Sequence, residues 1–194
     1  MSHYRGYYKV VRSALFHVAG IVLLLMSFAC APRPMRRGVE QLPGPKPEMP
    51  GIVDEETLAR VRYIVAQVEQ IALKESNLDR VGYLSMQQTA RLLDLGKKCS
   101  PVLVQIIRDR KKDWKLRYWA CDLMGYLEDR ANIIPLIERI EDATELYIIR
   151  KCAVRAIEEM DFPEVDKDLR AAYDIVEDES IKQEIARVLI RLGG

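Results

Sequence analysis

The chain has 194 residues, a formal net charge of +1 and 49% apolar residues. This apolar content, together with 30% charged residues, is typical of a folded chain and excludes general disorder. Residues 1–29 hold three basic residues and no acid, so the rest of the chain carries a net charge of −2. That rest lacks the basic balance that nucleic-acid binding requires, and we expect no nucleic-acid partner.

The histidines and cysteines limit the chemistry of the chain. Both histidines, His3 and His17, lie in the segment 1–29, so the remainder has no histidine for acid–base catalysis or metal binding. The four cysteines form no CxxC pair, which argues against zinc-ribbon and thioredoxin-like sites. We expect no metal, no cofactor, no catalytic residue and no enzymatic activity.

The first predicted element is an apolar run from Ala14 to Ala29 that follows a short basic stretch. This order is typical of an export signal, and the run is shorter than the roughly 20 residues of a bilayer span. Its end, Ser27-Phe28-Ala29-Cys30, resembles the signal of bacterial lipoproteins, in which the cysteine is lipidated. The alternative is that residues 14–29 remain uncleaved as a membrane anchor.

The lipoprotein resemblance implies where the protein acts. Residues 1–29 would be the signal peptide, and acylated Cys30 would anchor the mature protein at the cell envelope. Because Ala31 is not an aspartate, the resemblance implies the outer membrane, on its periplasmic face, in a Gram-negative cell. Residues 30–52 are rich in proline and glycine and are predicted to form a semi-extended tether.

Residues 53–194 are predicted to form an all-α domain. Asp54 can cap a helix that runs to about Ser76 and covers the end of the domain. Ser85 with Gln88 matches a capping box before a helix that ends near Gly96. Ser100 is predicted to be an N-cap, with proline in the first turn. Further helices are expected at about 114–127, 131–141, 145–160, 163–175 and 178–192.

Three segments of this domain repeat one another. They begin at Leu116-Arg117, Ile149-Arg150 and Ile181-Lys182. This fixed period of about 33 residues indicates stacked repeats, each a helix pair that buries its apolar face against the next. We expect an α-α superhelix of about three to four helix pairs with an N-terminal capping helix. An acid eight positions before each basic residue predicts a charged ladder between units, formed by Asp109, Asp142 and Asp174.

The repeats resemble HEAT repeats, in particular the bacterial type first described in phycobilisome lyases. The resemblance is carried by Leu116-Arg117 through Leu123-Met124-Gly125, and by residues 134–142 followed by Ile149-Arg150. It implies a HEAT/armadillo-like solenoid that binds another protein, and so a membrane-tethered scaffold or adaptor at the cell envelope. The alternative is an accessory, non-catalytic subunit of a lyase or chaperone-type enzyme that acts on a cofactor-bearing protein.

The candidate binding residues lie on the predicted inner helices and on a basic segment. Residues 108–117 contain six basic side chains and Trp114, a combination that suits an acidic partner, a phosphate or a lipid headgroup. The alternative is a solvated turn with Trp114 packed inward. Residues 161–179 form an acidic segment of opposite sign, which could steer a partner. The candidate protein-binding residues are Gln105, Arg108, Arg110, Lys111, Lys112, Trp114, Arg139 and Arg170.

Two cysteines, Cys121 and Cys152, occupy small-residue positions of the repeats. We expect them to be buried, unreactive thiols. A disulfide or a nucleophile is the alternative.

Overall fold

The computed structural model describes residues 53–192, except the side chain of Pro163. The predicted signal peptide, Cys30 and the tether lie outside the described residues. The described residues belong to one compact unit. The described part is all-α, as predicted, and has no strand. Its helices are α1 (Glu55–Lys74), α2 (Leu78–Leu84), α3 (Met86–Leu95), α4 (Ser100–Arg108), α5 (Trp114–Leu127), α6 (Ile133–Glu141), α7 (Tyr147–Met160), α8 (Asp166–Ile175) and α9 (Glu179–Leu192).

The start of the domain follows the sequence signals only in part. Asp54 caps α1, and its carboxylate accepts a hydrogen bond from the Thr57 backbone N–H at 2.7 Å, as predicted. The helix α2 was not predicted, and the Asn77 side chain caps it. The capping box at Ser85 was wrong, because the Ser85 hydroxyl donates to the Gly82 carbonyl instead.

The N-cap predicted at Ser100 was also wrong. A 3-10 turn over Gly96–Cys99 runs directly into α4, so Ser100 already has helical backbone angles. Its hydroxyl is buried without a hydrogen-bond partner. Proline still stands in the first turn of the helix, where its missing N–H costs nothing. The end of α3 at Gly96 is as predicted, with a positive φ of 60° that favours glycine.

From α4 onward, helices contact one another in a regular order. They pack as pairs, α4 with α5, α6 with α7 and α8 with α9. Alternate helices also pack in succession, α4 with α6 and α6 with α8 in one series, and α5 with α7 and α7 with α9 in the other. The most extensive contact of the domain joins α5 to α7. Each pair therefore contacts the following pair through both of its helices.

The first residues of the three repeat copies are equally buried. Leu116, Ile149 and Ile181, which begin the three copies, are all fully buried. The helices α5 and α7 both end on a non-glycine residue in the left-handed conformation, Glu128 and Asp161, and these two occupy the same position of the repeat. The sequence period is therefore also a period of burial and of backbone conformation.

Candidate binding surface

The basic side chains predicted to bind a partner are largely engaged within the domain. Arg108 donates two hydrogen bonds to the carboxylate of Glu138, at 2.7 and 2.8 Å. This pair joins α4 to α6. The carboxylate also raises the pKa of Arg108 through these hydrogen bonds. About half of the Arg108 side chain stays exposed, so its outer edge remains accessible to a partner.

The turn between α4 and α5 contains the other predicted basic residues. Arg110 forms an ion pair with Asp142 in the turn between α6 and α7. Lys112 contacts both carboxylate oxygens of Glu69 on α1, at 2.8 and 3.1 Å. Lys111 is exposed and forms no ion pair within the described residues. With the two acids Asp109 and Asp113 included, residues 109–113 carry a formal charge of +1, and Lys111 is the base among them that no carboxylate of the described part neutralises.

The remaining candidates occupy different surroundings. Trp114 is half-buried against the core, with the Lys115 ammonium 5.8 Å from its ring centroid. Gln105 is exposed on α4. Arg170 bonds to Asp166 on its own helix, at 2.8 and 3.0 Å. That these residues bind a partner stays a prediction. Trp114 packs inward, as the alternative interpretation of this segment expected.

A buried ion network joins the first two repeats. Arg117 donates to Glu145, and their side chains are only 7% and 2% exposed. Arg139 lies beside the same carboxylate at 3.7 Å and beside Asp142 at 3.3 Å. The Arg139 Nε is buried without a partner. Removal of two charges from water is costly unless they pair with good geometry, so this network fixes the position of the turn before α7 relative to α5.

The pKa of Asp142 reflects its hydrogen bonds with Thr144 and Arg110. Burial would raise the pKa of the carboxyl, but hydrogen bonds from Thr144 and Arg110 and the charge of Arg110 outweigh burial and lower the pKa to about 2. Asp142 is therefore ionised at any pH at which the domain is expected to work, and it holds Arg110 against the turn before α7.

The predicted charged ladder was wrong in its pairs: Arg117 and Arg150 do reach the next repeat, but not through Asp109, Asp142 or Asp174. Arg117 of the first copy pairs with Glu145, and Arg150 of the second copy contacts Asp178 at 3.5 Å. In both cases the acid belongs to the turn that precedes the next copy. The number of residues between the arginine and its acid is the same in both pairs. Lys182 of the third copy contacts Glu179 on its own helix at 3.6 Å.

A second ion cluster joins α7 to α9. The carboxylate of Glu158 is buried, with 3% of its side chain exposed, and it accepts hydrogen bonds from Arg187 at 2.9 and 3.2 Å. Arg191 contacts the same carboxylate at 2.5 Å. Both arginines are about half exposed. Nearby, Lys151 forms an ion pair with Glu184, and this hydrogen bond lowers the pKa of Glu184.

Several exposed apolar residues were missed by the sequence analysis. Leu146, Tyr147 and Ile148 are consecutive at the start of α7 and are all exposed, as is Ile134 on α6. A comparison of equivalent repeat positions could have indicated this exposed site. The positions before α5 and α9 hold Asp113 and Asp178, whose side chains accept from backbone N–H groups, whereas the N-cap of α7 is the apolar Leu146.

The cysteines of the described domain are buried free thiols, as predicted for Cys121 and Cys152. Burial raises the pKa of Cys99 to about 11. Burial first, and then the neighbouring Cys121, raises the pKa of Cys152 well above its ordinary value. Its Sγ donates to the Tyr118 carbonyl at 3.6 Å. Thiols in such surroundings form little thiolate and react slowly.

Among residues 53–192, no group of three or more potential ligands is arranged to hold a metal ion. Within the same residues, no helix combines the length and the apolarity that a membrane span needs. Comparison with protein families, with curated proteins and with solved structures gives no match to this chain.

Proposed function

We propose that this chain is a membrane-tethered HEAT-like scaffold that holds another protein at the cell envelope. One observation carries the proposal: from α4 to α9 the helices pack as pairs, and alternate helices pack in chain order. Continued through the repeats, this order of contacts would produce an α-α superhelix, in which helix pairs stack and two continuous helical faces remain. Such faces suit extended protein partners.

We place the partner on the face formed by α4, α6 and α8. Gln105, Ile134 and Arg170 are exposed on these three helices. Arg108 on α4 and Glu138 on α6 form a partly exposed pair on these helices. An exposed isoleucine together with exposed polar side chains on the same series of helices is compatible with a protein-binding face that has an apolar centre and a polar rim.

Site-specific photo-crosslinking in the native envelope tests this placement. The full chain would carry the crosslinking residue at Gln105 or at Ile134, and a control would carry it at Gln183, which is exposed on α9. We expect one common adduct from the first two sites, lost in an Arg170→Glu variant, and no such adduct from Gln183. An adduct that is equally strong at Gln183, or none at Gln105 and Ile134, would contradict the placement.

The proposed tether has its own test, the mass of the mature N-terminus. A diacylglyceryl-modified Cys30 supports the lipid anchor, and its loss in a Cys30→Ala variant supplies the control. A chain that retains residues 1–29 supports the uncleaved anchor instead. A mature chain that begins beyond residue 30 without lipid would contradict both forms of membrane attachment.

A further inference from the structure

The turns that precede α5, α7 and α9 lie side by side along one edge of the domain. Arg110 in the first turn pairs with Asp142 in the second. Arg150, in the first helical turn of α7, contacts Asp178 in the third. These contacts order the turns as first, second and third. We call residues 109–113, 142–148 and 174–179 together the turn edge.

The middle of the turn edge is apolar. Leu146, Tyr147 and Ile148 are 46%, 45% and 37% exposed. The equivalent residues of the first repeat are Asp113, Trp114 and Lys115, and those of the third are Asp178, Glu179 and Ser180. Three consecutive apolar side chains therefore face solvent only in the middle repeat, where burial against a partner would stabilise the complex.

The two ends of the turn edge carry opposite charge. In the first turn, Lys111 is exposed and forms no ion pair within residues 53–192. At the third turn, Asp174 at the end of α8 and Glu177 are exposed and likewise form no ion pair there. Glu179, the first residue of α9, is largely exposed beside Lys182. The charged side chains of the edge are thus basic at one end and acidic at the other, with the apolar residues between them, and Ile175, 60% exposed, adds one apolar side chain at the acidic end.

A surface ordered in this way is complementary to itself. Rotation by a half-turn about an axis through the second turn places the apolar residues on their own copies and each basic end on an acidic end. We propose that two copies of this chain associate through the turn edge as a two-fold dimer, with Leu146, Tyr147 and Ile148 at the centre and Lys111 of each copy beside Glu177 of the other.

The same charge order selects a second copy over other occupants. An anionic membrane surface would attract Lys111 but repel Asp174 and Glu177. A partner of a single charge sign would match one end of the edge and oppose the other. Since three partly exposed side chains from each copy form the centre, the interface is small, and we expect a weak dimer with a dissociation constant in the micromolar range or above.

Disulfide crosslinking of the full chain in its membrane tests the dimer. Ala143 is exposed in the second turn, close to the proposed axis, so an Ala143→Cys variant should give a disulfide-linked dimer under mild oxidation by a copper complex. Ile190, the most exposed apolar residue of α9, supplies the control as Ile190→Cys. We expect at least a fivefold higher dimer yield at position 143 than at position 190.

Two further variants separate the dimer from a loss of folding. Leu146→Asp places a preferred N-cap residue before α7, so it should keep the domain folded, yet it places two carboxylates at the axis and should abolish the crosslink at position 143. Lys111→Glu should lower the crosslink several-fold, and Lys111→Glu with Glu177→Lys should restore it.

Two results of the crosslinking experiment would contradict the proposed dimer. Equal yields at positions 143 and 190 would overturn it, since they indicate random collision. A crosslink between Cys at position 111 and Cys at position 177 without one at position 143 would indicate head-to-tail association and would also overturn it. Because the proposed protein-binding face is on α4, α6 and α8, failure here leaves the photo-crosslinking result unaffected.

Discussion

The contact of α5 with α7 differs from the contact of α7 with α9, although the same repeat positions form both. In the first contact, Gly125 lies against α7 so closely that a Cβ there would be 2.9 Å from the backbone Cα and O of Ala156. In the second, the position equivalent to Gly125 is Glu158, which binds Arg187 and Arg191 of α9. The α5–α7 contact is also the more extensive of the two.

The difference shows that one repeat pattern supports two kinds of interface. Close helix approach depends on the absence of a side chain and gains dispersion contacts along the whole helix. A buried carboxylate instead links the helices through long arginine side chains whose outer parts remain in water. We therefore expect the α5–α7 interface to be rigid and sensitive to substitution, and the α7–α9 interface to be more tolerant.

The largest expected effect is at the buried pair of the first interface. Arg117→Met would leave the Glu145 carboxylate without its main partner at 2% exposure, and we expect the free energy of unfolding to fall by about 3–5 kcal/mol. Chemical denaturation followed by circular dichroism measures it. A fall below about 1 kcal/mol, the level of an exposed pair, would mean that the network contributes little to the position of the turn before α7.

A smaller effect is expected where the two helices approach most closely. Gly125→Ala should lower the free energy of unfolding by about 1–3 kcal/mol, because the methyl group would overlap the backbone of α7. The matched control is Gly82→Ala on α2, where no atom lies within 4 Å of an added Cβ. That control should raise stability by about 0.5–1 kcal/mol. If both variants are stabilised, the close approach is absent.

The second interface should respond less. Glu158→Gln removes the charge that Arg187 and Arg191 share, but both arginines are half exposed and can return to water. We expect a loss of about 1 kcal/mol in the same denaturation measurement. A loss as large as that of Arg117→Met would erase the distinction between the two interfaces.

A separate prediction concerns the pH dependence of stability at Asp142. Its pKa is lowered to about 2 from 3.8, so the folded state binds this proton less readily than the unfolded state does. The stabilisation is therefore complete above about pH 4 and is lost as the pH falls toward about 2. Asp142→Asn should flatten the decline of the unfolding free energy over this interval. An unchanged pH profile would show that Asp142 titrates alike in both states.

Local patterns in the sequence predicted the helices and the buried positions well. The repeat period placed Leu116, Ile149 and Ile181 in equivalent buried positions, because helical periodicity is decided within a few turns. The residue patterns that mark the start of a helix predicted the structure less well. Ser85 and Ser100 match the residue preferences of caps, but packing of neighbouring helices directs their hydroxyls elsewhere.

Charge partners could not be predicted from spacing. Asp109 stands eight positions before Arg117, yet Arg117 reaches Glu145 in the turn before α7, because the partner depends on how the repeats are placed in space. The exposed apolar residues that begin at Leu146 were missed for a related reason. Apolar residues are assigned to the core by default, and only a three-dimensional arrangement shows that the start of α7 projects beyond it.

The central claim is that the helix pairs stack in chain order, and one distance tests it most directly. Gln105 on α4 and Ala171 on α8 are both exposed, on helices two repeats apart, and paired spin labels at these sites allow their distance to be measured in the membrane-bound full chain. Two interhelical spacings of about 8–10 Å each predict a narrow distribution centred at roughly 15–30 Å with the labels included. A broad distribution, or one centred well beyond that interval, would contradict stacking.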